Sequence, residues 1–475
     1  EGGGSREHFF SVKSFAELGA SAEIISALRT LGVETPSRIQ SLSFAALLEG
    51  SNAVVAEQTG SGKTLAYLAP LVQRCLEAKR KDPSKGAPRL LILAPTAELA
   101  EQVHSVCRGL CEVVKADVTL SSLLVTSSSG SLGSIASVLR KRSTDIVVAT
   151  PGRAVALLKA QGGRPPALDL SRDPCIVLDE VDVLFLDDSF GLQPIGAAAS
   201  AQAQFVFVTA TLPQEVLKTL TTEFPAIQVL CGPGLHRAAP GVRKVLLDCS
   251  LDGRGRASDK GTVETALQKK LDTLVSVLEA RPLRRTIVFC NSVDGCRRVE
   301  NALNREDRRE MKWKALPYHS AVSSDAAQRS LSTFSALNSL VPLVLVCTDR
   351  ASRGMDFGFS AGRATGRPSD SIETAGVDHV ILFDFPRDVA EWVRRVGRTG
   401  RAGRKGLVTI LAQGKQVPLA RDLIVKTSKG ERLYDLPGGD SSSRKTQRPR
   451  GSASKGRNSN RGSASRRRVK RTRRK

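Results

Sequence analysis

At 475 residues the chain is long enough for two or three domains, each with a core of its own. Lys and Arg outnumber Asp and Glu by 71 to 47, and the formal charge of +24 favours a polyanionic partner such as nucleic acid or an acidic surface. No apolar run approaches the roughly 18 residues of a membrane span. The nine cysteines contain no C-x-x-C, which argues against a zinc site and for free thiols in a reducing compartment.

In chain order, short runs rich in Val, Ile and Leu alternate with helix-like stretches. The first series is NAVVAE (52–57), RLLILAP (89–95), DIVVATP (145–151), CIVLDE (175–180) and QFVFVTAT (204–211). Gly and Pro then cluster in CGPGLHRAAPG (231–241), the best candidate for a domain boundary. The second series is RTIVFCNS (285–292), LVLVCTD (343–349), HVILFDF (379–385) and GLVTILA (406–412). Continuous apolar runs suit parallel strands covered on both faces. Their alternation with helices, twice over, predicts two open α/β sheets. Polar stretches at 251–261 and 358–376 read as surface excursions. Residues 441–475 carry 15 Lys or Arg and no acid, which leaves +9 on the rest. This low-complexity tail is expected to be disordered when free and to make sequence-independent electrostatic contacts.

Three motifs carry chemistry. EQTGSGKT (57–64) follows a predicted strand and precedes a helix, the setting of a phosphate loop. There Thr59, Gly60, Ser61 and Gly62 bring backbone N–H groups toward phosphate oxygens. Lys63 reaches the outer phosphates, and Thr64 can hold Mg²⁺. Glu57 stands where the general pattern has its first Gly. DEVD (179–182) closes a later strand. Alone it reads as solvated charge; beside a phosphate loop, Asp179 suits a water-mediated contact to Mg²⁺ and Glu180 the polarising of a water. Asp182 is expected to contact the neighbouring TAT (209–211). VRRVGRTGRAGR (393–404) spaces Arg395, Arg398, Arg401 and Arg404 three residues apart with Gly between them, a pattern for arginine reaching a phosphoryl group. A nucleotide loop in one unit and arginines in the other predict a site assembled between them.

With these residues in place, the chain resembles the DEAD-box RNA helicases over roughly residues 14 to 437. GVETPSRIQ (32–40), PTAELAEQ (95–102), TPGR (150–153), DEVD, TAT, IVFCNS (287–292), TDRASRGMD (348–356) and RRVGRTGR (394–401) occur in the family's order. DEVD, TATLP and TDRASRG look most like a plant and algal branch directed to chloroplasts, with a mitochondrial or nuclear address as the alternative. The chain begins with Glu1, as a cleaved transit peptide or a truncated sequence would both produce.

The resemblance implies an ATP-dependent RNA helicase: two tandem RecA-like parallel-sheet domains with a basic C-terminal tail. It implies an N-terminal extension at 1–13, a first domain at 14–232, a linker at 233–242, a second domain at 243–437 and the tail at 438–475. The cofactors would be ATP and Mg²⁺. The partner would be RNA, with ribosomal RNA and its assembly proteins as candidates, and the chain would act as a monomer. Gln40 would read the adenine with Phe15 packing nearby, and Asp356 would meet the ribose. Lys63, Asp179, Glu180, Arg398 and Arg401 would be catalytic. Thr209 and Thr211 would couple hydrolysis to closure with Asp182, while Thr96, Gly152, Arg153 and Thr348 would line the RNA backbone.

Several positions depart from the family pattern. An aromatic is replaced by Val33, an Arg by Ala97, and the His opening the last motif by Arg394. The family's Gln and Arg fall on Ser324 and Ala327, and its double glycine corresponds to Ser129-Gly130. These changes bear on RNA affinity more than on hydrolysis, and leave an RNA-binding assembly factor with a slow or unused ATPase as the alternative reading. His104 and His379 read as core histidines and Trp392 as a packing residue; Trp313 has no role assignable from sequence.

Overall fold

The computed structural model describes residues 9–83, 86–113, 118–141, 143–159, 165–172, 174–237, 241–251, 260–307, 312–336, 339–349, 376–400, 405–431 and 433. Asp356, Arg401, the 358–375 part of the polar excursion and the basic tail lie outside them.

Two parallel sheets follow one another along the chain. The first contains β1 (Ala53–Ala56), β2 (Leu90–Leu93), β3 (Ser122–Val125), β4 (Ile146–Ala149), β5 (Cys175–Asp179), β6 (Gln204–Thr209) and β7 (Gln228–Cys231), in the order β3-β4-β2-β5-β6-β1-β7. The second contains β8 (Val242–Asp248), β9 (Arg285–Cys290), β10 (Lys314–Tyr318), β11 (Leu343–Thr348), β12 (His379–Leu382) and β13 (Gly406–Ala412), in the order β10-β11-β9-β12-β13-β8.

The continuous apolar runs do what their composition predicts. β1, β2, β4 and β5 are buried along their whole length, because side chains alternate between two faces and helices cover both. In the second sheet, Ile287, Phe289, Leu345 and Val380 pack on one face, while Val288, Cys290, Val346 and Ile381 pack on the other. The outermost strands β3, β7, β8 and β10 are not among the runs picked out from the sequence. Each has a partner on one side only and carries less apolar cover: β7 is exposed or half-buried throughout, and β3 is buried only at Val125.

Isolated residues find mostly structural roles. Trp392 is fully buried and packs at 6.2 Å from the Phe385 ring, and Trp313 joins the core beside Leu303 and Val344. His379 is buried and meets Thr409 Oγ1 at 2.8 Å; burial lowers its pKa to about 4. His104 departs from expectation: it is only half-buried, at a helix–sheet seam, where its ring meets Ser122 Oγ at 3.2 Å. The nine cysteines are free thiols. No described helix is long and apolar enough to cross a membrane.

Candidate nucleotide and nucleic-acid site

Register places the site. Ala56 pairs with Thr209, Val55 with Val208, and Val208 with Asp179, so β1, β6 and β5 end side by side. The phosphate loop, TAT and DEVD therefore emerge together at the carboxyl ends of adjacent strands, where open α/β sheets bind ligands.

The loop 57–62 is built around left-handed glycines, Gly60 at φ 79° and Gly62 at φ 88°. Gly62 has a second constraint, since a Cβ there would lie 2.7 Å from Gln40 Nε2. Gln40 is buried in the helix Arg38–Leu48; its Oε1 accepts the Ser37 N–H at 2.8 Å and its Nε2 donates to the Gly62 carbonyl at 3.2 Å. Phe15 lies in the core and meets Phe44 edge-on at 6.5 Å, so it backs the helix that carries Gln40. Lys63 begins the helix Lys63–Lys81, and its ammonium donates to the carbonyls of Glu57 and Gln58 at 2.8 and 2.9 Å. Glu57 is buried, which pushes its carboxyl up from the usual range. Ser61 Oγ is buried with no hydrogen-bond partner among the described residues.

DEVD lies across from this loop. Asp179 ends β5, and burial raises its carboxyl's pKa against the opposing pull of Tyr67 and Lys63. Glu180 sits at φ 55°, a left-handed conformation that only one other described non-glycine residue, His236, shares. Strain of this kind persists where surroundings fix it, often at working sites. Burial first, then the charges of Asp182 and Asp179, raise Glu180 to about 7, while Lys63 and Arg398 oppose them. Asp182 is fully buried and accepts from Thr209 Oγ1 at 3.0 Å and from Thr211 Oγ1.

The second sheet reaches this group through the helix Val389–Val396 and the turn after it. Arg394 Nη1 donates to Asp182 Oδ2 at 2.9 Å, with the Asp182 side chain fully buried and the Arg394 side chain 11% exposed. Burial works against the Arg394 charge, but Asp182 and Glu180 hold its pKa above the ordinary value. Thr59 Oγ1 donates to the Gly397 carbonyl at 3.0 Å, so close that a side chain at Gly397 would collide with Thr59. Arg398 is buried; desolvation lowers its pKa, and Glu180 is the strongest charge supporting it.

The arginine run therefore divides. Arg394 and Arg398 face the acids of the first sheet. Arg395, equally basic in sequence, is fully buried and grips Asp349 with Nε at 2.8 Å, Asn291 with Nη2 at 2.6 Å and the Asp384 carbonyl with Nη1 at 2.8 Å. It braces its own domain. Sequence spacing could not show this, because successive helical residues point about 100° apart.

The residues expected to meet RNA stand at other strand ends of the two sheets. Thr96 follows β2 and caps the next helix, its Oγ1 accepting the Leu99 N–H at 3.2 Å. Gly152 and Arg153 open the helix after β4, and Arg153 donates to the carbonyls of Thr126, at 2.9 Å, and Gly130. Thr348 ends β11. Tyr67 and His236 were not foreseen. His236 is buried and its Nε2 accepts the Leu212 N–H at 3.0 Å, directly after TAT; its only sequence signal was the Gly-Pro-Gly beside it.

The fold is that of two RecA-like domains, with a phosphate-loop sequence at the carboxyl edge of the first sheet. A DEAD/DEAH box helicase family model matches residues 37–220, and a helicase conserved C-terminal domain model matches 269–361. DEAD-box ATP-dependent RNA helicase 50 of Arabidopsis thaliana is 41% identical, covering 90% of this chain and 52% of that protein. Probable ATP-dependent RNA helicase DDX28 of Mus musculus is 31% identical, covering 82% and 67%. S. cerevisiae Dbp5 bound to RNA and ADP BeF3 superposes with a TM-score of 0.68 at 21% identity, covering 88% of this chain and 93% of that one. The chain belongs to the DEAD-box ATP-dependent RNA helicase family. It spans about half the length of the Arabidopsis relative.

The Arg394–Asp182 pair gives one testable consequence. Removing one partner of a buried ion pair leaves the other uncompensated, at about 3–5 kcal/mol. Arg394→Ala should lower the unfolding midpoint of the chain, and adding Asp182→Ala should cost less than the sum of the two single changes. Strictly additive effects would mean the pair is not formed in solution.

Proposed function

We propose that the chain is an RNA-stimulated ATPase that opens short RNA duplexes or remodels RNA–protein complexes. The observation that carries this reading is the meeting of Arg394 and Arg398 from one sheet with Asp182 and Glu180 from the other, beside the phosphate loop. A site divided in this way is complete only when the domains are together, so a ligand that favours closure promotes hydrolysis.

The residues present suit ATP and Mg²⁺. Two left-handed glycines, the unpartnered Ser61 Oγ and Lys63 offer donors to phosphate oxygens. No group of three His, Cys, Asp or Glu converges among the described residues. That fits Mg²⁺, which keeps waters and takes one or two carboxylates plus substrate phosphates. Thr64 and Asp179 would hold it, and the bound ion would neutralise charge on the phosphates. Lys63 would exchange the carbonyls of Glu57 and Gln58 for phosphate oxygens. Glu180 would take a proton from the attacking water, Arg398 and Arg401 would meet the terminal phosphate, and Asp356 the ribose. Asp182, Thr209 and Thr211 would transmit the change. Thr96, Gly152, Arg153 and Thr348 would touch RNA phosphates and sugars, which implies little base preference.

We place this activity in organellar ribosomal RNA maturation, with a chloroplast address favoured by the resemblance of DEVD, TATLP and TDRASRG to that branch. Steady-state ATPase with RNA, with DNA and with neither tests the biochemical reading. RNA should raise turnover and DNA should not. Equal stimulation by both would indicate a DNA-tracking motor, and RNA binding without turnover an assembly factor.

A further inference from the structure

We propose that Tyr67 is a positioning residue for Asp179, its hydroxyl fixing the plane of the carboxylate that serves the nucleotide's metal ion. The inference rests on the reading of Asp179 as the acid that meets Mg²⁺. Tyr67 lies four residues after Lys63 on the same helix, so both side chains fall on one helical face, the one turned toward β5. The side chain is fully buried, and its Oη donates to Asp179 Oδ2 at 2.9 Å. The other oxygen, Oδ1, accepts the Glu180 N–H at 2.9 Å. Two donors, one on each oxygen, fix the carboxylate's orientation while leaving each oxygen a lone pair.

A buried tyrosine commonly finds a hydrogen-bond partner simply to satisfy its hydroxyl. Here the partner is the acid that ends β5 beside the phosphate loop, and the Lys63 ammonium acts on the same carboxylate. Groups that orient a metal-serving side chain typically change metal affinity by about 10- to 100-fold when removed. The sequence hides the contact, because Tyr67 reads only as one more apolar position of an amphipathic helix.

The test uses the full chain with Tyr67→Phe, Tyr67→Leu and Asp179→Asn. Affinity for a fluorescent ADP is measured in EDTA, and Mn²⁺ binding to the ADP complex is followed by electron paramagnetic resonance. Tyr67→Phe should leave the affinity in EDTA unchanged and raise the Mn²⁺ concentration for half-saturation about 10-fold. Tyr67→Leu should lower the melting temperature further without a larger Mn²⁺ shift, separating loss of the ring from loss of the hydroxyl. Unchanged Mn²⁺ binding in Tyr67→Phe, with a clear loss in Asp179→Asn, overturns the inference alone. Unchanged Mn²⁺ binding in Asp179→Asn overturns the reading beneath it. A Mn²⁺ shift that grows with the fall in melting temperature assigns Tyr67 to packing and overturns the inference.

Discussion

Replacing Glu180 with Gln should reduce ATP turnover by about two to four orders of magnitude while nucleotide affinity stays within a few-fold. The amide keeps the side chain's shape but cannot accept the proton of an attacking water. Asp179, Lys63 and the loop that would bind phosphates are untouched. A second effect follows from the carboxyl's raised pKa of about 7. The folded chain holds this proton more tightly than the unfolded chain, so Glu180 costs stability as pH rises above its unfolded value, fully so above about 7. At pH 8 the Gln variant should therefore unfold at a higher temperature than the parent, by the equivalent of about 1–3 kcal/mol. At pH 4 the difference should vanish. Near-parental turnover in this variant would remove Glu180 from the mechanism.

Arg398→Ala should lower RNA-stimulated turnover by about 10³-fold or more, the range that arginine fingers contribute to phosphoryl transfer. Arg398 comes from the second sheet's domain yet lies buried beside Glu180. Nucleotide affinity should change little, because the loop 57–64 and Gln40 belong to the first sheet's domain. Arg398→Lys should recover only a small part, since a point charge does not reproduce the planar guanidinium. Comparing kcat with the ATP dissociation constant checks this: a loss confined to affinity would assign Arg398 to ground-state binding.

Much of this architecture could be read from sequence because parallel strands and phosphate loops follow local rules. Buried central strands such as Ile146–Ala149 announce themselves as apolar runs, and a phosphate loop needs glycines at fixed offsets. The edge strands Ser122–Val125 and Gln228–Cys231 were harder to see, since one neighbour and one wet side dilute the pattern. The Asp182 contact to Thr209 and Thr211 matches the expected contact to TAT (209–211), and the pairing of β5 with β6 explains it. The Tyr67–Asp179 bond, the His236 cap on Leu212 and the inward turn of Arg395 were not. Each joins residues far apart in sequence, through a side chain whose direction only the packed structure fixes. The replacement of the family's His by Arg394 was visible, but its pairing with buried Asp182 was not.

The central claim is that a single hydrolytic site is formed from both domains, and the Glu180→Gln, Arg398→Ala double variant tests it most directly. Residues acting as one unit on one step give losses that do not multiply. RNA-stimulated turnover of the double variant should fall no more than a few-fold below that of the weaker single variant. Full multiplication of the two losses would mean that Glu180 and Arg398 act independently, and would contradict a shared site.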